Sequence, residues 1–350
     1  MKTKHNLSYE EAHELLLEKI IPLDEIETVS LSSATLTVLA EPINAVFDYP
    51  LFDNSAVDGY AVSREQDAQQ NSKLKVIKTI SAGDSTEEEV PLGCAVRILT
   101  GAEVPKNTYE SIMQEDVEKE NNVIHILSTA YQYQHIRRKG ADFKAGERLI
   151  EKNEKLNPAG LAIAASQNIL QIKVYRKPKI SIITTGDELI NPGEELQQGK
   201  IINTNLLMLK SLCETENVEI ITTEELVKSN LSQIAKHSDI ILTSGGMSVG
   251  DKDYIPKALN ELGETFLHKV KIKPGKPFLF GKMHSAFVFG LPGNPAASFV
   301  CFEVFVREAI RKISGIKNYL HHWLELPYLN EHTIHERDEF ARCVITNYKN

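Results

Sequence analysis

The chain has 350 residues, of which 42% are hydrophobic and 25% are charged. This length exceeds the ~100–200 residues of a usual single domain, so we expect two or more domains. The formal net charge of −9 argues against a nucleic-acid-binding protein, which would need a basic surface to contact phosphates. The sequence shows neither an apolar run of about 18 residues nor a secretory signal, and we expect no membrane span.

The cysteines have no spacing typical of a metal site, and two of them fall in apolar, helix-like stretches. We therefore expect reduced thiols and a cytoplasmic protein. These cysteines are Cys94, Cys213, Cys301 and Cys343.

Two helical segments flank a β-rich block in the first half of the chain. Ser8 and Glu11 form a capping box, which predicts a helix over residues 8–20. Asn157 and Pro158 predict the start of a helix over residues 156–168. Between them, short alternating runs are separated by turns. We expect the flanking helices to pack together as one discontinuous domain of residues 1–46 and 143–176, with a β-rich insert at residues 47–142.

From residue 177 the pattern changes to alternating strands and helices. The apolar runs KISIITT (179–185) and DIILT (239–243) are typical of strands that are buried on both faces. Together with the helical stretches that follow them, they predict a doubly wound, mostly parallel sheet over residues 177–317. Residues 318–350 are too few to bury a core alone.

Ligands of open α/β sheets bind beyond the carboxyl ends of the strands. Four polar, glycine-rich or lysine-rich loops are predicted there, and their exposed amides and ammonium groups favour a phosphorylated ligand. Each loop also has a purely structural interpretation, such as a polar turn, a solvated basic turn or a helix cap at Asn294. The loops are Gly186–Leu189, Ser244–Asp253, Lys273–Pro277 and Gly290–Pro295.

The charges of these loops suggest metal-assisted phosphate chemistry. Lys273 and Lys276 would hold phosphate, whereas the nearby carboxylates would repel it unless a magnesium ion lay between them. The carboxylates are Asp187, Glu188, Asp251 and Asp253.

Several motifs resemble, in the same order, those of one enzyme family. They are FDNSAVDGYAV, RILTGAEVP, QED, RRKGAD, TTGDEL, NTN, TSGGMSVGDKDY, IKPGKPFLFGK and LPGNPAAS. The family is that of the molybdopterin molybdenumtransferases, the molybdenum-insertion enzymes of cofactor synthesis, to which the E domain of gephyrin is similar. The resemblance covers roughly residues 8–315.

The patterns above predict an α/β multidomain fold, and the resemblance implies an elongated homodimer. It implies the insertion of molybdate into adenylylated molybdopterin, with Mg²⁺-dependent hydrolysis of the adenylate to AMP. Further partners implied in this way are the molybdopterin-adenylating enzyme and molybdoenzyme acceptors, with neither nucleic acid nor membrane among the partners.

The resemblance also carries a set of site residues, with those of the insert coming from the partner subunit. The implied catalytic residues are Asp58, Thr100, Asp142, Glu188, Asp253, Lys269 and Lys273. The substrate-binding candidates are Gly186, Asp187, Asn203, Asn205, Ser244, Gly245, Gly246, Ser248, Gly250, Pro274, Gly275, Lys276, Pro292, Gly293, Asn294, Ser298 and Arg342. Asp187 and Asp253 are the candidate magnesium ligands.

The sequence departs from the family pattern in two places. Ser229 and Asn230 stand where the family usually has acidic residues. The family also ends in a small β domain, of which residues 318–350 supply only the start. Two other functions stay open: a related molybdopterin adenylyltransferase or nucleotide pyrophosphatase, and a non-catalytic dimeric scaffold.

Overall fold

A computed structural model describes residues 3–225, 231–246, 254–327 and 336–345. The helices are Tyr9–Lys19 (α1), Pro158–Ser166 (α2), Thr204–Glu214 (α3), Leu231–His237 (α4), Tyr254–Leu262 (α5), Pro295–Cys301 (α6) and Arg307–Ile313 (α7). The strands are Lys4–Leu7 (β1), Ile26–Ser30 (β2), Val38–Leu39 (β3), Ile43–Asn44 (β4), Asn54–Ser55 (β5), Gly59–Val62 (β6), Lys73–Ile80 (β7), Cys94–Ile98 (β8), Glu110–Met113 (β9), Val117–Glu120 (β10), Val123–Ile126 (β11), Ile136–Arg137 (β12), Arg148–Ile150 (β13), Gln171–Tyr175 (β14), Lys179–Thr184 (β15), Leu189–Ile190 (β16), Ile201–Ile202 (β17), Glu219–Glu225 (β18), Ile240–Ser244 (β19), Gly263–Val270 (β20), Ile272–Lys273 (β21), Leu279–Met283 (β22), Ala286–Leu291 (β23) and Asp338–Glu339 (β24).

The chain forms two compact units. The first contains residues 1–41, 152–161 and 170–350, and the second contains residues 42–151 and 162–169. These boundaries differ from the predicted ones, because the first helix and the α/β segment share one unit. The predicted discontinuous domain of residues 1–46 and 143–176 is therefore not a separate unit in this division.

The first unit is built on a seven-stranded sheet in the order β1-β20-β22-β23-β19-β15-β18. All of its pairings are parallel except those of β22, which is antiparallel to both neighbours. The expectation of a mostly parallel sheet is confirmed. Two strands of this sheet, β1 and β22, were not predicted from the sequence pattern.

Helix α1 begins with the predicted capping box, since Ser8 accepts a hydrogen bond from the Glu11 amide and Glu11 accepts one from the Ser8 amide. Its apolar face is buried in the same core as Ile180 and Ile240 of the sheet. The α/β sheet therefore buries the α1 face, and the packing of this helix with α2 stays a prediction.

The long helix predicted after residue 296 begins at Pro295, with Asn294 accepting a hydrogen bond from the Ala297 amide. A π-helical turn, Phe302–Val306, joins α6 to α7. The predicted cap and helix are confirmed, and the π turn is an addition that the periodicity does not show.

The second unit contains the β-rich insert, as predicted. Its main sheet has six strands in the order β10-β11-β7-β8-β6-β9. The run 109–117 was expected to be one strand, but a 3₁₀ turn, Gln114–Asp116, separates β9 from β10. Among the described residues, none of the helices is both long and apolar enough to cross a membrane.

Candidate functional site

A cavity of about 380 Å³ opens at the carboxyl ends of the adjacent strands β15, β19 and β23. Its size falls in the range of small-molecule sites. Three of the four predicted loops contribute to it, through Glu188, Gly245 and Gly293 among others. The complete lining is Thr184, Thr185, Glu188, Leu189, Ile201, Ile202, Asn203, Thr204, Asn205, Ser244, Gly245, Gly293, Asn294 and Pro295.

Buried amide side chains fix these loops to one another. Asn205 Nδ2 donates to Ser244 Oγ at 2.7 Å and to the Gly293 carbonyl at 2.8 Å. Asn203 Nδ2 donates to Thr184 Oγ1 at 2.8 Å. Because both asparagines are buried together with Thr184 and Ser244, losing one partner would leave the other unsatisfied. The NTN motif therefore holds the cavity wall in place.

Asn205 also carries a buried acceptor without a partner among the described residues. Its side chain is 7% exposed, and its Oδ1 has no hydrogen-bond partner among the described residues. Since buried carbonyl oxygens normally accept a hydrogen bond, this atom suits a donor on a bound molecule.

Two helices begin at the cavity. Asn203 caps α3 through the Leu206 amide at 3.3 Å, and Asn294 caps α6 through the Ala297 amide at 3.1 Å. Helix N-termini carry partial positive charge and favour anions. The arrangement therefore suits a negatively charged ligand group.

Gly245 allows the loop after β19 to approach the loop after β15. Its φ of +89° lies in the left-handed region, and an added Cβ would stand 2.3 Å from the Thr185 carbonyl oxygen. Only glycine fits at this position without displacing backbone.

Both Asp187 and Glu188 are exposed, but only Glu188 supplies a carboxylate to the cavity. Within the described ranges, no group of three or more His, Cys, Asp or Glu side chains is placed to hold a metal ion. Mg²⁺ commonly binds one or two carboxylates together with substrate phosphates. The described donors fit that mode, with the phosphate oxygens of a substrate completing the coordination.

The fourth predicted loop, 273–277, does not line this cavity. Lys273 Nζ lies 3.2 Å from Glu339 Oε1, and Pro274 lines a different, apolar groove together with Arg342. An added Cβ at Gly275 would stand 2.7 Å from Cys301 Sγ. The expected convergence of all four loops on one cavity is wrong in this respect, since this loop packs beside the face of α6 that carries Cys301.

Other candidates have mixed positions. Ser298 is fully buried in α6, so its expected contact with substrate is not supported. Lys269 is half-buried near the end of β20, and Lys276 is exposed. Ser248, Gly250, Asp251 and Asp253 lie outside the described residues, as do Ser229 and Asn230.

A separate polar cluster lies in the second unit. Asp58 Oδ1 accepts hydrogen bonds from the Thr100 amide at 2.8 Å and from Thr100 Oγ1 at 2.7 Å. These bonds lower the pKa of the Asp58 carboxyl below its usual value. The pair therefore presents an ionised carboxylate in a fixed orientation.

Three predicted turns contact one another in this unit. Strand β5 pairs with β12, and the Ser55 amide donates to the Ala102 carbonyl at 3.0 Å. Arg138 Nε lies 3.0 Å from Asp53 Oδ2, and the Asp142 amide donates to the Tyr49 carbonyl at 2.9 Å. The structure thus brings together DNSAVDGY, LTGA and RRKGAD, which are far apart in sequence.

The sequence pattern did not identify several cavity residues. Thr184 and Thr185 end the KISIITT run, where threonine is a common strand residue. Ile201 and Ile202 form the short strand β17 and are 57% and 42% exposed. Two adjacent exposed isoleucines beside a polar motif were the signal available, and they give the cavity an apolar rim.

The two halves of the chain match two protein families. Residues 7–168 match the family described as "MoeA N-terminal region (domain I and II)". Residues 181–312 match "Probable molybdopterin binding domain". The cavity described above lies within the second match.

The chain is similar to curated proteins over most of its length. It is 38% identical over 321 residues to a "Molybdopterin molybdenumtransferase" of Haemophilus influenzae, covering 89% of this chain and 79% of that protein. It is 38% identical to the protein of that name from Nostoc, covering 86% and 72%. A crystal structure of the molybdopterin biosynthesis moeA protein from Pyrococcus horikoshii superimposes with a TM-score of 0.75 at 36% identity, covering 90% of this chain and 81% of that chain.

Proposed function

We propose, from the premise that this chain belongs to the molybdopterin molybdenumtransferases, that it inserts molybdenum from molybdate into adenylylated molybdopterin and releases AMP. The chain is a transferase of molybdenum cofactor biosynthesis. The adenylylated form of the substrate, the Mg²⁺ requirement and the AMP product are the finer parts of the proposal.

One observation carries the proposal: the N-termini of α3 and α6, the Glu188 carboxylate and an apolar rim meet at one cavity. The helix ends suit phosphate. The Ile201 and Ile202 side chains suit a flat heteroaromatic ring, because they offer exposed apolar surface beside the polar wall. A substrate with a ring system joined to phosphates matches this division.

Residues of this chain would bind and orient that substrate. The amides of the first turns of α3 and α6 that the caps leave unbound would contact the phosphates, and Asn205 Oδ1 would accept a hydrogen bond from the ring system. Lys269, Lys273, Lys276 and Arg342 stay candidates for contacting the remaining anionic groups, and Asp253 stays a candidate for a magnesium-linked role.

Magnesium, when bound through Glu188 and the substrate phosphates, would neutralise phosphate charge and favour cleavage of the phosphoanhydride. Asp187 contacts Lys200 through its backbone carbonyl, 2.5 Å from Lys200 Nζ. Glu188 lines the cavity and Asp187 does not, so Glu188 is the better candidate ligand among the described residues.

We further propose that Asp58, Thr100 and Asp142 complete the site from the second subunit of a cytoplasmic homodimer. The Asp58–Thr100 pair supports this proposal. Two donors fix the exposed Asp58 carboxylate in one orientation, so it can contact a ligand that is bound by another subunit. The adenylating enzyme and molybdoenzyme acceptors would be transient partners.

The function is tested by AMP release from adenylylated molybdopterin, with and without molybdate and Mg²⁺. We expect release to need both ions, and Glu188→Ala to reduce it by roughly 100-fold, since misplacing a reacting group costs about that factor. Glu194→Ala is the matched control, because Glu194 is an exposed carboxylate in the same loop region that bonds to Asn191 instead. AMP release that ignores molybdate would contradict the insertion reaction.

The shared site is tested by mixing subunits. Asp58→Ala and Glu188→Ala are each expected to be inactive alone, but a heterodimer of the two would contain one intact site and recover activity. If each site were built from a single chain, mixing would restore nothing while the separate variants stayed dimeric.

A further inference from the structure

A second cavity, of about 750 Å³, lies at the amino ends of the parallel strands β15, β19 and β23. The candidate site lies at the carboxyl ends of the same strands. Lys179 begins β15, Asp239 precedes β19, and Phe287 lies at the start of β23. These residues all line the cavity. Its volume is large enough for a small organic ligand.

Backbone pairing fixes the cavity wall across four adjacent strands. Lys282 of β22 pairs with Phe287. The Phe287 amide donates to the Asp239 carbonyl at 2.9 Å, and the Asp239 amide donates to the Lys179 carbonyl at 2.8 Å. The sheet hydrogen bonds therefore fix the backbone positions of Lys179 and Lys282 in the cavity wall.

The cavity carries an excess of positive charge that its own carboxylates do not neutralise. Its acidic side chains, Glu25 and Asp239, are both bound by Arg176, at 2.9 Å and 2.6 Å. Within the described part of the chain, no ion pair joins a carboxylate to Lys179 or to Lys236. Lys282 instead lies over the Phe287 ring, 5.3 Å from its centroid.

Basic side chains that outnumber the acidic ones in a concave surface focus a positive potential and attract anions. This concentration occurs in a chain whose net charge is −9. Apolar side chains, Ile21, Leu23 and Phe287, complete the wall. The cavity thus combines a basic end with an apolar surface.

We propose that this cavity binds a small molecule that carries a phosphate group on an apolar or aromatic body. Lys179, Lys236 and Lys282 contact the phosphate, and the Ile21 and Leu23 side chains contact the body. This site is independent of the molybdenum chemistry at the other sheet edge.

The test measures the acetylation rate of individual lysines by mass spectrometry in the full-length protein. Phenyl phosphate and inorganic phosphate are the two probes, with chloride at equal ionic strength as the reference. At twice the dissociation constant of phenyl phosphate, two thirds of the sites are occupied, so Lys179 and Lys282 should react about threefold more slowly. Lys73 and Lys119, exposed on strands of the second unit, should be unaffected.

Protection by phenyl phosphate but not by inorganic phosphate supports an organic phosphate ligand. Equal protection by both identifies the free ion and would overturn the proposal. In the Lys179→Ala variant, about tenfold more phenyl phosphate should be needed to protect Lys282 to the same extent. Lys73→Ala should not change this concentration. Neither variant should change AMP release, so failure here is distinguishable from failure of the proposed function. Uniform protection of all lysines, or none, would overturn the proposal.

Discussion

The polar groups of the two units are held in different ways. In the first unit, Asn203 and Asn205 are buried and connect loops from three strands through hydrogen bonds. In the second unit, Asp58 is exposed and is held by one residue, Thr100. The first arrangement fixes the shape of a cavity, whereas the second orients a single carboxylate. Substitutions should therefore affect stability in the first unit and mainly ligand contacts in the second.

The largest difference is expected at two left-handed glycines. Gly245→Ala places a Cβ 2.3 Å from a backbone oxygen, so the chain must shift, and we expect a loss of about 3 kcal/mol or more in unfolding free energy. Gly101→Ala, the counterpart in the second unit, has φ +81° but meets only Ala82 Cβ at 3.9 Å. The unfolding free energy of the Gly101→Ala variant should fall by only about 1–2 kcal/mol, which is the strain of a left-handed backbone at a non-glycine residue. Denaturant unfolding of both variants measures the difference, and equal losses would refute the comparison.

A smaller, pH-dependent effect is expected at Glu110, a buried carboxyl of the second unit. It is fully buried, and burial first, then the Asp116 charge, raise its pKa from 4.5 to about 8. The folded protein therefore keeps a proton that the unfolded chain releases, and stability should fall as pH rises from about 4.5 to about 8.

Glu110→Gln cannot ionise, so its stability relative to the native chain should increase over this pH window. Glu118→Gln, an exposed position on β10, should show no such trend. Thermal unfolding at a series of pH values is the measurement. Parallel curves for Glu110→Gln and the native chain would show that the carboxyl is not held neutral.

The smallest effect on stability is expected at Thr100. Thr100→Val removes the hydroxyl hydrogen bond to Asp58 but leaves the amide bond, so the Asp58 pKa should rise part of the way to its usual value. Unfolding free energy should not change measurably, because the carboxylate is exposed to water. Carboxyl titration by NMR checks the pKa, and AMP release is expected to fall. An unchanged titration would show that the hydroxyl does not hold Asp58.

Local patterns predicted much of the α/β unit. The runs at 179–185 and 239–243 predicted β15 and β19, because a parallel sheet with both faces covered needs continuous apolar strands. The carboxyl-end rule then placed Glu188, Gly245 and Gly293 at one edge. The rule also placed the 273–277 loop there, although this loop does not line the cavity. It predicts the end of the strands at which a loop lies, but not which strands are neighbours in the sheet.

What the sequence alone determined is therefore local: the capping box of α1, the Asn157 and Asn294 caps, and the loops that follow buried strands. These depend on residues within a few positions of one another, where geometry is set by backbone periodicity and hydrogen-bond reach. Only the tertiary structure decided which polar groups meet. Asn205 reaches Gly293 across 88 residues, and the antiparallel strand β22 enters between β20 and β23. Such contacts depend on the order of the strands in the sheet, which is decided by the burial of a common core. The residue pattern of one segment carries no information on that order.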